Sequence, residues 1–506
     1  MRRFRIALTA LALTATMLAS ACSAGSTATR VGRIADADAV VVATFGPPAS
    51  LDFTRTAGAA IPGALMKNVY EGLVQIDDHG EVAPLLATHW ERSADGTEYV
   101  FHLREGVTFS NGDAFTAHTA KFSIDRVSSD AWTNGLKSQM KVVQATEVLD
   151  ELTLKVTLER PSNQWLWAMG TFVGAMMTPH GVDKLASEPI GTGPYRVEHW
   201  AIGQSLTFTA RPDYWGDQPA NRTAAIRYFA DAVGATNALQ SGDVDVVWAM
   251  QSPELIDVLR ARGNYHVAVG TTNGEVLLSM NNQRAPFNDV RVRQAVMHAI
   301  DRQAVIDTAW DGYGQDTGGV PVPPTDPWFQ PSNQYPFDPA KSRELLKEAG
   351  ISDDNNDITF TVPSLPYATA ISELVVSQLR DVGLDVTIQS VEFPAVWLSQ
   401  VHKGKDYDMS LIAHVEPRDL TTLFAPGYYL GYDNPATTEL FTKADAGTPE
   451  EFQQYMGEAV DQIMDAAAAD TLFNFPNIVV SRDNITGVSP DVRTDGIALG
   501  KLGKLP

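Results

Sequence analysis

The sequence is almost without cysteine: Cys22 stands alone among 506 residues. An intramolecular disulfide is therefore excluded, and so is a cysteine-based metal cluster. Basic charge is scarce too. Lys and Arg number 38 against 61 Asp and Glu, for a formal net charge of −23. Such a surface argues against nucleic acid as a partner, because phosphate binding needs a concentrated basic face. It argues equally against loose adsorption to anionic lipid. After Cys22 no apolar run is long enough to span a bilayer. Catalytic signatures are missing as well: there is no HExxH, no P-loop, no GxSxG elbow and no Cys–His cluster. The stretch "GTGPY" at Gly191–Tyr195 leads through Pro194 into a strand, so it lacks the helix N-terminus that cradles phosphate. Pairs of carboxylates are inevitable at this composition and do not signal a glycosidase. The ten histidines are scattered without ligand spacing. No enzyme, no resident metal and no cofactor is expected.

What is present begins with the lone thiol. Arg2, Arg3 and Arg5 precede an uncharged stretch from Ile6 to Ala21, rich in Ala, Leu and Thr, that ends in small residues. That is the layout of a secretory signal over residues 1–21. "LASAC" at Leu18–Cys22 resembles a bacterial lipobox, with Ala19 where the pattern usually has Leu. The resemblance implies that Cys22 is lipidated and becomes the new N-terminus, on the outer, periplasmic side of the cytoplasmic membrane. Acyl chains hold through roughly 0.8 kcal/mol per buried CH2. Residues 22–38 are small and polar, as a tether is. The remaining length, at roughly 150 residues per domain, suggests two to four domains.

The first half reads mostly as strands. Tyr99, Phe101 and Leu103 alternate with polar neighbours, and Val107 and Phe109 resume after Gly106, a hairpin pattern. Leu152, Leu154, Val156 and Leu158 alternate with polar residues, so one face is buried and one wet. "SLTFTARPDYW" is another strand. The second half alternates helix and strand. "NDVRVRQAVMHAIDRQAVIDTAW" carries Val292, Val296 and Ile300 at helical spacing with Asp289 as cap. "FDPAKSRELLKEAG" has Asp338 as cap, Pro339 in the first turn and Gly350 past the end. A helix over about 368–382 stops at Gly383, and "LDVTIQSV" follows as a strand. Helix, glycine turn, strand is α/β grammar. "VPVPPTDPWFQP" reads as a long surface loop. Composition shifts near Gly270–Glu275, a candidate domain boundary.

Seven segments in register resemble the bacterial extracellular solute-binding proteins of family 5, from about Val41 to Val488. They are "NVYEGLV", "APLLATHWERSADGTEYVFHLREGVTFSNGDAFTA", "PIGTGPYRVEHWAIGQSLTFTARPDYW", "SGDVDVV", "PFNDVRVRQAVMHAIDRQAVI", "FDPAKSRELLKEAG" and "LRDVGLDVTIQSVE". Ala117-His118-Thr119-Ala120 departs from the usual Ala-x-Asp-Val. The resemblance implies an α/β, two-lobed periplasmic-binding-protein-like fold with an extra subdomain, mixed sheets and a hinge. Its divisions map to 39–58, 187–273 and 482–506 for lobe I, 59–186 for the extra subdomain and 274–481 for lobe II. It implies a monomer that closes on a small solute and delivers it to an ABC transporter permease served by a separate ATPase. Peptide binders of the family set an acid of lobe II against the ligand's α-ammonium, shortly after a "YD" strand. Here Tyr407-Asp408 leads to His414, Glu416, Arg418 and Asp419. Glu416 or Asp419 would meet an ammonium and Arg418 a carboxylate. Tyr428, Tyr429 and Trp248 would supply aromatic walls. The set suits a zwitterion such as a peptide, an amino-acid conjugate or an opine. It also suits a metal chelate, a metallophore or nickel complex, with His414 as a ligand. A lipid-anchored receptor that senses a peptide without importing it remains a further alternative.

Overall fold

A computed structural model describes residues 39–56 and 59–505. The expected signal peptide, the tether and Cys22 lie outside the described residues. Ten strands form one mixed sheet. Their order is Asp385–Val391, Asp357–Pro363, Met409–His414, Tyr265–Met280, Ala469–Arg482, Val246–Val247, Val40–Phe45, Thr223–Phe229, Ser205–Ala210 and Tyr195–Ala201. Parallel pairs sit on both sides: Val40–Phe45 with Thr223–Phe229, and Asp357–Pro363 with Asp385–Val391. Between them run two long antiparallel strands, Tyr265–Met280 and Ala469–Arg482.

These two strands join two lobes. Val276, Leu278 and Phe473 belong to one apolar core, with Val296 and Phe360. Ile478 and Val480 belong to another, with Val41 and Ala225. The return strand thus changes cores between Phe473 and Ile478. On the outgoing strand the pairing register breaks between Thr271 and Glu275. Gly270 stands just before that break. A Cβ there would lie 2.4 Å from the backbone carbon of Pro490, so the C-terminal segment passes only over a glycine.

A second, four-stranded antiparallel sheet lies within residues 59–186, ordered Ala87–Arg92, Glu98–Leu103, Thr153–Leu158, Val143–Asp150. Its inner face buries Tyr99, Phe101, Leu154 and Val156 beside Trp165, as the alternation requires. Val107 and Phe109 do not continue it as a hairpin. Glu98–Leu103 pairs instead with Ala87–Arg92 and Thr153–Leu158. Both side chains reach the same core from irregular backbone, where burial is worth about 1.5–3 kcal/mol each.

In lobe II the helices largely follow their punctuation. Asp289 caps Val290–Ala299 and Asp338 caps Pro339–Glu348. The long pattern 289–310 breaks, however: Ile300 is extended, and Asp301 caps a second helix, Arg302–Trp310. A cap residue inside an apolar pattern competes with helix continuation and wins here. The proline-rich segment 320–331 is irregular, as expected, but it is not a surface loop. Val320, Val322 and Trp328 are buried in the lobe II core, and Asp326 is buried with them. Prolines at 321, 323, 324, 327 and 331 carry no N–H, so little backbone is left to satisfy when the segment goes inside.

Candidate functional site

The loop after Met409–His414 sits where the two long strands cross. His414 pairs directly across from Glu275, the residue at the register break. Its Nε2 lies 2.9 Å from the Tyr429 hydroxyl, and the two rings stack. Burial, then the neighbouring His402, lowers the His414 pKa to about 4, so the imidazole is neutral near pH 7. Tyr429 is fully buried and its backbone oxygen accepts from Tyr407 Oη, which makes it a support for His414 and not a wall. Tyr428 is only partly buried; burial and then Asp419 and Glu416 push its pKa up to about 12. One nitrogen of His414 and one carboxylate oxygen each of Glu416 and Asp419 lie within 4.8 Å of one another.

Around this trio carboxylates accumulate. Glu275 is buried, and neither of its carboxylate oxygens has a hydrogen-bond partner. Burial raises its pKa well above the usual range, reinforced by Asp419 and Asp326. Asp419 is raised in the same way by burial, Glu416 and Asp326. Asp326, from the buried proline-rich segment, is pushed up to about 7 by burial, against Arg418 and Arg493. Asp495 rises to about 6 through burial, with Lys67 opposing and Glu416 reinforcing. Asp419 and Asp495 keep part of their surface open yet are enclosed by protein, as groups lining a narrow cleft are. Asp495 also lines a cavity of about 690 Å³ with Lys67, Tyr214, Trp215, Trp248 and Asp491. The 414–419 loop does not line that cavity, although Asp495 on its wall feels the charge of Glu416. Glu71 shows what a satisfied buried acid looks like here. It accepts from Thr192 Oγ1, Tyr214 Oη and Trp215 Nε1 at 2.9, 2.7 and 2.9 Å. Glu275 has no such donors.

Arg418 faces the other way. Its backbone is left-handed, with φ of 55°. The guanidinium carbon stands 4.5 Å from the Trp167 ring centre, 5.0 Å from Trp328 and 5.7 Å from Phe452. Its Nη2 donates to the Gly80 carbonyl at 3.1 Å. Burial lowers its pKa to about 10, so it stays charged. Trp167 and Gly80 come from residues 59–186, and Trp328 and Phe452 from lobe II, so the arginine is a cation wedged between the two. A smaller cavity of about 270 Å³ beside it is lined by Pro417, Trp167, Arg160 and Asp445.

The structure brings His414, Glu416 and Asp419 together and turns Arg418 away from them; Trp248 stands on the adjoining cavity, and Tyr429 lies beneath. Glu275, Asp326, Asp495 and the aromatic cage of Arg418 are not among the residues the sequence points to. A glutamate interrupting the apolar strand "GEVLLSM" was the available signal; Asp326 was hidden by the surface-loop reading.

The model for bacterial extracellular solute-binding proteins, family 5, middle region, matches residues 81–431. The chain belongs to this family. It is 30% identical over 360 residues to a glutathione-binding protein, GsiB, of Salmonella paratyphi A, covering 70% of this chain and 69% of that one. The fold is similar to the ABC transporter substrate-binding protein CtaP of Listeria monocytogenes, with a TM-score of 0.82 at 19% identity over 92% of this chain and 99% of the other. It is also similar to the periplasmic binding protein DppA of Helicobacter pylori in complex with the peptide STSA, with a TM-score of 0.74 at 23% identity over 92% and 98% of the two chains. A family 5 protein binds a solute outside the cytoplasm for an ABC transporter and is not an enzyme. Among the described residues, no helix of this family 5 protein is long and apolar enough to cross a membrane.

Proposed function

We propose that this protein captures a small solute carrying a cationic group, a short peptide or peptide-like zwitterion, between its lobes and hands it to an ABC permease with a separate ATPase. The observation that carries the reading is Glu275: a buried carboxylate without a donor, beside Asp419, Asp326 and Glu416. Burying unpaired acids is costly, and an ammonium placed among them would offset that cost. The relative named for glutathione, itself a small peptide, accords with this solute class. Arg418 is assigned a supporting role, holding the loop between the subdomain and lobe II, while Glu416 and Asp419 meet the ligand and Trp248 and Tyr428 flank it. Lobe I takes in 39–58, 187–273 and 482–506, the extra subdomain 59–186, and lobe II 274–481, with its end moved back from the expected 481 to the change of cores between Phe473 and Ile478. The protein acts as a monomer, anchored outside the cytoplasmic membrane through lipid on Cys22. Mass spectrometry of the solute that co-purifies with the protein, followed by calorimetry with that solute, tests the reading. A tightly bound solute lacking any basic group would overturn it.

One observation favours a second reading. A neutral imidazole and two carboxylates within 4.8 Å suit a divalent cation, here as part of a chelate that is the cargo. Metal analysis of the co-purified solute separates the two.

A further inference from the structure

The outer face of the four-stranded sheet carries a second group of donors, far along the chain from the cleft loop. His89 and Glu91 are two apart on Ala87–Arg92, so both point to one face. His102, on Glu98–Leu103, pairs directly opposite His89. One nitrogen from each histidine and a carboxylate oxygen of Glu91 lie within 4.8 Å of one another. The rings stack, 4.3 Å between centres and 9° from parallel. His102 Nε2 has no hydrogen-bond partner and lies 3.6 Å from Glu91 Oε1.

The neighbouring threonine fixes a tautomer. The register slips between Ala87 and His89, leaving Thr88 unpaired in a bulge. Its hydroxyl donates to the His102 carbonyl at 3.1 Å. A hydroxyl has one proton, so the 3.0 Å contact of the same oxygen with His89 Nδ1 must be donated by the imidazole. Nε2 of His89 is thereby left with its lone pair. An imidazole oriented by a hydrogen bond at one nitrogen, with the other bare, is the arrangement of a metal-ligating histidine. Two imidazoles and a carboxylate on neighbouring strands, with His89 and Glu91 exposed and His102 Nε2 covered and unpartnered, supply three donors.

We propose that His89, Glu91 and His102 bind one borderline divalent transition-metal ion of the zinc, nickel and copper(II) class on the outer face of the subdomain sheet, with Thr88 orienting His89. Bond lengths of about 2.0–2.1 Å to each nitrogen draw the donors closer than they stand, which ring rotation on an exposed face allows. The ion clips the edge strand Ala87–Arg92 to its neighbour. The site is separate from the cleft and does not depend on the solute.

Zinc is the probe. The protein, purified without a histidine tag and stripped with a chelator, is titrated with zinc against a competing chromophoric chelator. Wild type takes up a zinc ion that His414→Ala retains. The double variant His89→Ala/His102→Ala loses it, with affinity down at least 100-fold, while Glu91→Gln and Thr88→Val each weaken it about tenfold. Zinc raises the melting temperature of wild type and not that of the double variant. Equal zinc affinity in wild type and the double variant overturns the proposal, as does the absence of zinc uptake by wild type. Should the double variant not fold, the single exposed-face variant Glu91→Gln decides: unchanged affinity overturns the proposal as well.

Discussion

The 414–419 loop looks two ways, and its two sides are satisfied to very different degrees. Toward the extra subdomain, Arg418 is stacked among Trp167, Trp328 and Phe452 and bonded to Gly80. Toward the crossing strands, Glu275 is buried without a donor and Asp419 and Asp326 stand close enough to raise its pKa. The Arg418 cation is held by three rings and one carbonyl, although its Nε has no acceptor. Glu275 is a buried acid without donors, its pKa raised first by burial, so its hydrogen-bonding capacity is unmet. The same distinction separates Glu71, with three donors, from Glu275. Charge within a cleft thus comes in two kinds, one with partners inside the protein and one without.

Neutralising the acids without donors should have the greatest consequence. Glu275→Gln and Asp419→Asn should weaken binding of the co-purified solute at least 30-fold, since leaving a buried charge unpaired costs about 2–5 kcal/mol. The empty proteins should melt at or above the wild-type temperature, because a carboxylate without donors has been removed. Calorimetry and thermal melts together read both effects. Wild-type affinity in both variants would return these acids to the scaffold.

Arg418→Ala should do the reverse. It removes a desolvated cation–π contact worth about 2 kcal/mol and empties the aromatic cage, so the melting temperature of the empty protein should fall. Arg418→Lys should not restore it, because an ammonium cannot stack as a planar guanidinium does. An unchanged melt with a large loss of affinity would instead place the guanidinium on the solute.

The pH response comes from the buried acids around the loop, burial outweighing the cations near them. Asp326 and Asp495 hold protons in the folded protein up to about 7 and about 6, whereas the unfolded chain releases them near 4. Between those values the folded state binds more protons, so the stability of the empty protein falls as pH rises through this window. A cationic solute favours the ionised acids and expels those protons. Its affinity should therefore rise about tenfold from pH 5 to pH 8, roughly one pKa unit of linkage. Affinity that is flat with pH, measured by calorimetry in buffers of different ionisation heat, would detach these acids from the solute.

Much of this was legible in the sequence, and the failures share a cause. Asp289 and Asp338 cap their helices, and the alternation of 153–158 turns Leu154 and Val156 inward, because each effect is local. The break at Ile300 is local as well, but two competing signals overlap there. The burial of Asp326 and Trp328 depends on which surface the proline-rich segment meets, which no local pattern contains. The charges at 414–419 stand together in the chain, but chain order does not say which of them has partners. His89 and His102 become neighbours only through a pairing register set by the bulge at Thr88. Spacing along the chain therefore leaves them looking scattered.

The smallest expected effect tests whether the satisfied side also governs closure. Asp445, near the end of the lobe II helix Pro435–Ala446, reaches across to the subdomain. Its Oδ1 accepts from Ser162 Oγ at 2.8 Å and from the Gln164 backbone N–H at 2.9 Å, and its Oδ2 pairs with Arg160 at 2.5 Å. Asn163 adds bonds to the Ala444 and Gly447 carbonyls. A lobe II carboxylate thus satisfies an otherwise orphaned donor in the first turn of the subdomain helix Asn163–Ala168. Asp445→Ala removes that cap only where the two bodies touch, so the open form loses nothing. Cap loss costs about 1 kcal/mol, which should speed solute release about fivefold. The association rate should stay near wild type, and small-angle scattering on the empty protein should show a larger radius of gyration. Arg160→Ala should act less, because that side chain is 58% exposed and water replaces its partner. Equal release rates and superimposable scattering curves for wild type and Asp445→Ala would mean that the Asp445 contact is incidental to closure.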